Sequence, residues 1–229
     1  MKTIALIVAA GSSVRFGGSV PKQFRELDGV ALLSRTISRF EAAESITQIV
    51  VVVAEEHLLY ATQKIVDPHG FPKVSKIVPG GATRQESVRR GLASLPLATD
   101  FVAIHDGARP LVSPADIDAV VKTAQAERAA MLAIPTTDTI KRVADGFVLA
   151  TLDRRVLYRA QTPQVFQYDL IKDAHDEAAT KGEDVATDDA ALLEAKGFKV
   201  KVVEPTSPNP KITTQGDMKL AEFLWKEYA

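Results

Sequence analysis

Two cations, Arg15 and Lys22, follow an apolar run, Thr3 to Ala10, that ends in Ala9-Ala10-Gly11. Small residues at the end of a strand leave backbone N–H groups open to an anion, and the spaced cations supply compensating charge. The segment reads as a cradle for a polyphosphate. It contains neither Gly-x-x-x-x-Gly-Lys-Ser/Thr nor Gly-x-Gly-x-x-Gly, which excludes the P-loop and the dinucleotide fingerprint. The plainer alternative is a buried first strand, a glycine turn and two solvated cations.

Six later segments carry further polar chemistry. Gly80-Gly81-Ala82-Thr83-Arg84-Gln85-Glu86-Ser87 sets a diglycine, an Arg and a hydroxyl where helix N–H groups can meet a base or phosphate, although a plain turn and cap would look the same. His105-Asp106-Gly107-Ala108-Arg109-Pro110 follows a buried strand and puts a carboxylate and an Arg at its carboxyl end, the edge where open α/β sheets hold ligands. Asp138-Thr139-Ile140-Lys141-Arg142 and Leu152-Asp153-Arg154-Arg155 place charge on a hairpin. Ala186-Thr187-Asp188-Asp189 reads as a helix N-terminus, and Pro210-Lys211-Ile212-Thr213 closes a proline-rich loop with a lone Lys. Taken singly, each fits a solvated turn or cap; their joint occurrence is the signal.

The elements that must position these residues alternate strand and helix over roughly the first 135 residues, the signature of βαβ units. Gln48 to Ala54 and Phe101 to Ile104 are apolar enough to be buried on both faces, Val74 to Val78 is a short strand, and Val30 to Phe40 and Arg84 to Leu95 are helical. Ser113-Pro114-Ala115-Asp116 starts a helix with Ser as N-cap and Pro at the first position, running to about Arg128, and Ala129 to Ile134 returns as a strand. The period then breaks. Thr139 to Val143 and Phe147 to Thr151 flank Asp145-Gly146, a hairpin turn. An isolated hairpin is marginal in water, so this arm, at about 136–159, is expected to pack on a partner subunit. A strand near Ala160 to Phe166, helices at Tyr168 to Thr180 and Asp188 to Lys196, a strand at Lys199 to Glu204 and a helix from about Gln215 complete the chain. The expected fold is α/β: a Rossmann-like open, mostly parallel sheet with helices on both faces, plus a protruding β-hairpin arm, in one domain spanning 1–229.

With 28 Lys and Arg against 29 Asp and Glu, no global field draws the chain to nucleic acid or membrane, so any cationic site is local. The absence of cysteine excludes disulfides, thiolate catalysis and Cys-based zinc sites, and the four histidines fall in separate segments without ligand spacing. Lys2, the apolar run and Val8-Ala9-Ala10 mimic a short secretory signal, but the run sits at the bottom of the length range and cleavage would remove the first strand. A cytoplasmic protein without a membrane span is expected.

Ala-Ala-Gly-x-x-x-Arg-Phe followed by Pro-Lys-Gln resembles the opening signature of nucleotidyltransferases that join a nucleoside triphosphate to a phosphorylated sugar or alditol. Taken with Gly80-Gly81, Arg84 and Ser87, the string at 105–110, Asp138-Thr139, Lys141-Arg142, Leu152-Asp153-Arg154, Ala160-Gln161-Thr162-Pro163-Gln164, Thr187-Asp188 and Lys211-Ile212-Thr213, it closely resembles the 2-C-methyl-D-erythritol 4-phosphate cytidylyltransferase family from about Ile4 to about Glu222. The resemblance implies a homodimeric enzyme of the non-mevalonate isoprenoid route that joins CTP to methylerythritol phosphate with Mg²⁺. It implies that Arg15 and Lys22 stabilise charge at the α-phosphate and that Arg154 and Lys211 position the attacking phosphate. Ala9, Ala10, Gly11, Gly81, Ser87 and Gly107 would hold CTP; Asp106, Arg109, Thr139 and Thr187 would grip methylerythritol phosphate, some from the other subunit. Asp106 is the candidate metal ligand.

The residues depart from the family pattern at Ser13, often Gly, and at Phe16, usually Met. The chain ends soon after its last helix, so the fused cyclodiphosphate synthase domain of some relatives is not expected. Three alternatives stay open: a ribitol 5-phosphate cytidylyltransferase of the same fold and chemistry, a guanylyl- or uridylyltransferase sharing only the first loop, and an inactive nucleotide-binding module. The motifs after the first loop favour the methylerythritol enzyme, and the retention of Arg15, Lys22, Arg154 and Lys211 speaks against an inactive module.

Overall fold

The computed structural model describes residues 1–11, 16, 20–182 and 186–228. Its strands are β1 (Thr3–Ala9), β2 (Glu26–Leu27), β3 (Val30–Ala31), β4 (Gln48–Val53), β5 (Val74–Pro79), β6 (Phe101–Asp106), β7 (Ala129–Pro135), β8 (Lys141–Ala144), β9 (Phe147–Thr151), β10 (Tyr158–Gln167) and β11 (Lys201–Val203). Its α-helices are α1 (Leu32–Ala42), α2 (Leu58–Tyr60), α3 (Arg84–Ala93), α4 (Pro114–Glu127), α5 (Tyr168–Lys181), α6 (Asp189–Ala195) and α7 (Gln215–Tyr228).

Alternation along the strands builds two cores. Ala5 and Ile7 of β1, Ile49, Val51 and Val53 of β4, and Ala103 of β6 point to one face, where Ile37 and Phe40 of α1 and Ile117, Val120 and Val121 of α4 cover them. Ile4, Leu6, Val50, Val52, Val102 and Ile104 point to the other, under Val88 and Leu92 of α3 and Ile171 of α5. Because both faces are buried, the period-2 signal vanishes and the strands read as unbroken apolar runs. A third cluster, with Phe16, Leu27, Leu32, Leu111, Ile212, Met218 and Ala221, seats α7.

The seven-stranded sheet has the order β11-β7-β10-β6-β1-β4-β5. The chain moves outward from β1 through β4 to β5, then returns to the other side of β1 for β6. That reversal opens a crevice at the carboxyl ends of β1 and β6, the switch point where such sheets bind ligands. β10 runs antiparallel to both β6 and β7. The reason is local: β7 ends at Pro135, the hairpin arm follows, and Tyr158 re-enters opposite Pro135. A crossover helix is needed to reverse direction for a parallel pair, and none separates β7 from β10. Pro163, which lacks an N–H, falls in the irregular stretch between Ala160 and Gln164, where the ladder is already interrupted.

The expected elements are present with small boundary shifts. Ser113 caps α4 by accepting from the Asp116 N–H, with Pro114 at the first helical position. Asp145 and Gly146 take φ of 50° and 81°, the left-handed pair a two-residue hairpin turn requires. Two features were not expected. Asp28-Gly29, with φ of 52° and 73°, makes the same turn between β2 and β3. Short helical turns also fill 55–69, between β4 and β5. Among the described residues, no helix is long and apolar enough to cross a membrane.

Candidate active site

A cavity of about 390 Å³ opens at the crevice between β1 and β6. Its floor is the end of β1 with Ala10 and Gly11; the diglycine loop before α3 forms one wall, and Lys22, Asp106 and Lys211 close the rest. Small residues are required where the loop meets the strand, because a Cβ on Gly80 would come within 2.5 Å of the Ala10 Cβ and 2.8 Å of the Ser87 Oγ. Gly107 is similarly confined, since a Cβ there would lie 2.9 Å from the Ala9 Cβ. It does not line the cavity; its N–H donates to the Val8 carbonyl (2.9 Å) and its carbonyl accepts from Thr36 Oγ1 (3.0 Å), locking β6 to β1 and α1.

The diglycine wall is held by the start of α3. The Thr83 side chain caps the helix through the Glu86 N–H, and Glu86 reaches back to accept from the Ala82 N–H at 2.8 Å. Ser87 is buried, and its hydroxyl donates to the Thr83 carbonyl (2.8 Å) while accepting from the Gly81 N–H (3.0 Å). This hydroxyl shapes the wall as well as lining the cavity. On the opposite side, Gln23 Nε2 donates to the Ala9 carbonyl (2.9 Å), and Lys22 Nζ donates to the Ile212 carbonyl (3.0 Å). The Ile212 N–H donates to the Ala108 carbonyl (2.9 Å), so Lys22 and Lys211, far apart in the chain, meet at one rim.

Asp106 organises the charges. Lys211 Nζ lies 3.0 Å from Oδ2, Arg109 Nε 3.4 Å from Oδ2, and Arg84 Nε 3.3 Å from Oδ1. Burial pushes the Asp106 carboxyl up, but Arg84, Lys211 and Arg109 outweigh it and hold it well below the usual carboxylate range. Burial likewise would lower the Arg84 guanidinium, yet Asp189 and Asp106 raise it above its ordinary value. Arg109 is lowered by burial in spite of Asp106, and its contact is the longest of the three. Among the described residues, and counting Lys22, four cations stand with the carboxylates of Asp106 and Asp189, a local positive surplus in a chain of near-zero net charge. Such a surplus at a concave site attracts an anion.

Beneath Asp106 runs a chain of hydrogen bonds. The Asp106 N–H donates to Thr162 Oγ1 (3.1 Å), Thr162 Oγ1 meets His105 Nδ1 (3.0 Å), and His105 Nε2 meets the Arg109 carbonyl (3.2 Å). Read in that direction, His105 carries its proton on Nε2 and accepts at Nδ1. Burial pushes the His105 imidazole down to about 3, so it is neutral and serves as a strut.

The structure therefore brings Ala9, Ala10, Gly11, Lys22, Gly81, Ser87, Asp106 and Lys211 to one cavity. Arg109 lies behind it, buried, with its guanidinium also donating to the Asn209 carbonyl (2.7 Å). Thr139, Arg154 and Thr187 are exposed and do not line the cavity; Arg154 donates to the Thr137 carbonyl (2.6 Å) at the root of the arm. Arg15 and Ser13 lie outside the described residues. Phe16 is buried in the α7 cluster and reaches the cavity.

Asp106 does not fit as a Mg²⁺ ligand. Both of its oxygens face cations, and among the described residues no three His, Asp or Glu side chains cluster as a metal site would need. A carboxylate already held by three cations is the hub of a cationic wall. Arg84, Gln23, Thr213 and Asp189, which the sequence motifs contain without an assigned role, also belong to the site; Arg84 sits in the Gly-Gly-x-x-Arg string, which is its signal.

The family model for IspD, 2-C-methyl-D-erythritol 4-phosphate cytidylyltransferase, matches residues 3–227. A 2-C-methyl-D-erythritol 4-phosphate cytidylyltransferase from Pelotomaculum thermopropionicum is 45% identical over 226 residues, covering 98% of this chain and 94% of the relative. One from Desulforamulus reducens is 46% identical over 224 residues, covering 97% and 95%. The crystal structure of 4-diphosphocytidyl-2C-methyl-D-erythritol synthase from Anaerococcus prevotii superposes with a TM-score of 0.86 at 28% identity, over 98% of this chain and 96% of that one. With the cationic crevice and the match along almost its whole length, the chain belongs to the 2-C-methyl-D-erythritol 4-phosphate cytidylyltransferase family.

Proposed function

We propose that this chain transfers the cytidylyl group of CTP to 2-C-methyl-D-erythritol 4-phosphate, giving 4-(cytidine 5'-diphospho)-2-C-methyl-D-erythritol and pyrophosphate, in the cytoplasm and as a homodimer. The observation that carries the reading is the meeting of Lys22, Arg84, Asp106 and Lys211 around a small-residue strand end. An oxygen of the acceptor phosphate attacks the α-phosphorus, the bond to the β-phosphate oxygen breaks, and pyrophosphate leaves. The nucleophile is already ionised, so no general base is needed. Two anions must be brought together and charge develops on the α-phosphate, work suited to fixed cations.

Lys22, with Arg15, stabilises that charge; Lys211, steadied by Asp106, meets the acceptor phosphate with Arg154. Ala9, Ala10, Gly11, Gly81 and Ser87 border the nucleotide, and Gly107 keeps β6 close enough to β1 for the floor to form. Mg²⁺ would be carried by the triphosphate oxygens and would supply screening of phosphate charge. Asp106 and Arg109 shape the acceptor side. Thr139 and Arg154 reach the acceptor from the arm of the second subunit, while Thr187 contributes from the segment before α6. The arm supports this by exposing Val143, Phe147, Val148, Leu149 and Val156, an apolar surface suited to a second copy of the chain.

The reading is tested by pyrophosphate release from CTP with methylerythritol phosphate or ribitol 5-phosphate, and with UTP, GTP or ATP replacing CTP. Turnover with CTP and methylerythritol phosphate alone is expected; preference for ribitol phosphate would overturn the acceptor, and no turnover with any pair would overturn the activity. The subunit arrangement makes its own prediction. When Lys22→Ala and Arg154→Ala chains exchange subunits, half of the dimers regain one intact site, so about a quarter of the wild-type rate should return. No recovery after confirmed exchange would place Arg154 in its own chain's site.

A further inference from the structure

Behind the cavity wall lies a buried group that the reaction scheme above does not use. Asp189, at the first turn of α6, is 1% exposed. Its Oδ2 lies 2.8 Å from an Arg84 terminal nitrogen, while its Oδ1 lies 3.1 Å from His175 Nε2 of α5. The Asp189 and Ala190 N–H groups both donate to Gln164 Oε1 of β10, at 3.1 and 3.0 Å. Backbone, carboxylate and ring are thus all fixed before anything binds. Arg84 is the part of this assembly that reaches the cavity, and its Nε is simultaneously on Asp106.

A guanidinium shared between two carboxylates has its plane set by both. Asp106 also holds Lys211 and Arg109, so without Asp189 the Arg84 side chain would collapse toward Asp106 and compete with Lys211 for it. We infer that Asp189, backed by His175, is a positioning residue for cytidylyl transfer: it draws Arg84 away from Asp106 and so sets both the cationic wall facing CTP and the freedom of Lys211. The inference rests on the activity proposed above. It adds a residue outside the cavity whose effect passes through Arg84.

Asp189→Asn is a fair test because it preserves shape. The Asn carbonyl can face Arg84, and its amide can donate to His175 Nε2 once the ring proton moves to Nδ1, an atom without a partner among the described residues. Asp189→Asn should lower kcat/KM for CTP by about 10–100-fold, the usual size of losing a group that orients a functional side chain. CTP affinity measured by calorimetry should fall with it. The decisive measurement is a double-mutant cycle with Arg84→Gln: if Asp189 acts through Arg84, the second substitution adds almost nothing once Arg84 is gone. Additive losses, or an undiminished kcat/KM in a folded Asp189→Asn protein, would overturn the inference. If Asp189→Asn does not fold, His175→Gln, which leaves the Arg84 contact in place, runs the same cycle with a smaller loss expected. A wild-type protein that releases no pyrophosphate would overturn the activity, whereas the cycle in CTP affinity still decides the role of Asp189.

Discussion

Lys22→Ala is expected to lower kcat by roughly 10²–10³, about 3–4 kcal/mol of lost transition-state stabilisation, with a much smaller change in KM. Lys22 opens a short helical turn (Lys22–Phe24), and its ammonium is anchored at the Ile212 carbonyl on the rim that carries Lys211. An ammonium held there in advance needs no reorganisation when charge builds on the α-phosphate. Its contribution grows between ground state and transition state, and that difference lowers the barrier. The adjacent Gln23–Ala9 bond holds the strand end in place, so the variant should keep the cavity's shape. Steady-state kinetics over a range of CTP concentrations check this; a loss appearing only in KM would assign Lys22 to ground-state binding.

The second large effect concerns stability. Asp106→Asn removes the negative partner of three cations, two of them with side chains at least two-thirds buried. Breaking a buried pair in this way typically costs about 3–5 kcal/mol, because the remaining charges stay desolvated without compensation. For a protein of this size that corresponds to a fall in Tm on the order of 10 °C, measurable by scanning calorimetry. The acid limb provides an independent check. The native Asp106 carboxyl sits below its unfolded value, so its stabilisation is full above about pH 4 and is lost as pH falls toward the native value. Below pH 4 the gap between wild type and variant should therefore narrow. A gap that is constant with pH would mean that the loss comes from packing and not from charge.

Most of the sheet was legible because its signals are local. The runs at β1, β4 and β6 are apolar on both faces, Ser113-Pro114 carries its own cap, and Asp145-Gly146 carries its own turn. Asp28-Gly29 has the same turn chemistry but flanks strands of only two residues each, too short for alternation to show. The helical turns at 55–69 escape notice because their apolar contacts, Ala61 and Ile65, are few and their ends are charged. The cavity floor and cations could be read from strand-end motifs. The bond from Arg84 to Asp189 could not, since its partners are 105 residues apart and meet only after β10 has docked α6. The family resemblance gives Arg109 to the acceptor; its hydrogen bond to the Asn209 carbonyl is a contact no local pattern reports.

The antiparallel strand has a further consequence for how the polypeptide is made. β6 and β7 are joined through α4, yet they are held one strand apart, and the gap between them is filled by β10. A nascent chain that has emerged only as far as the hairpin leaves one edge of β6 and both edges of β7 unpaired, the arrangement that invites mispairing with other chains. The residues of the cavity floor and the diglycine wall have been synthesised at that stage, whereas Lys211 and the Asp189 anchor have not. Vectorial synthesis thus delivers the residues of the cavity floor early, and late those that close the sheet and bring Lys211 to the rim.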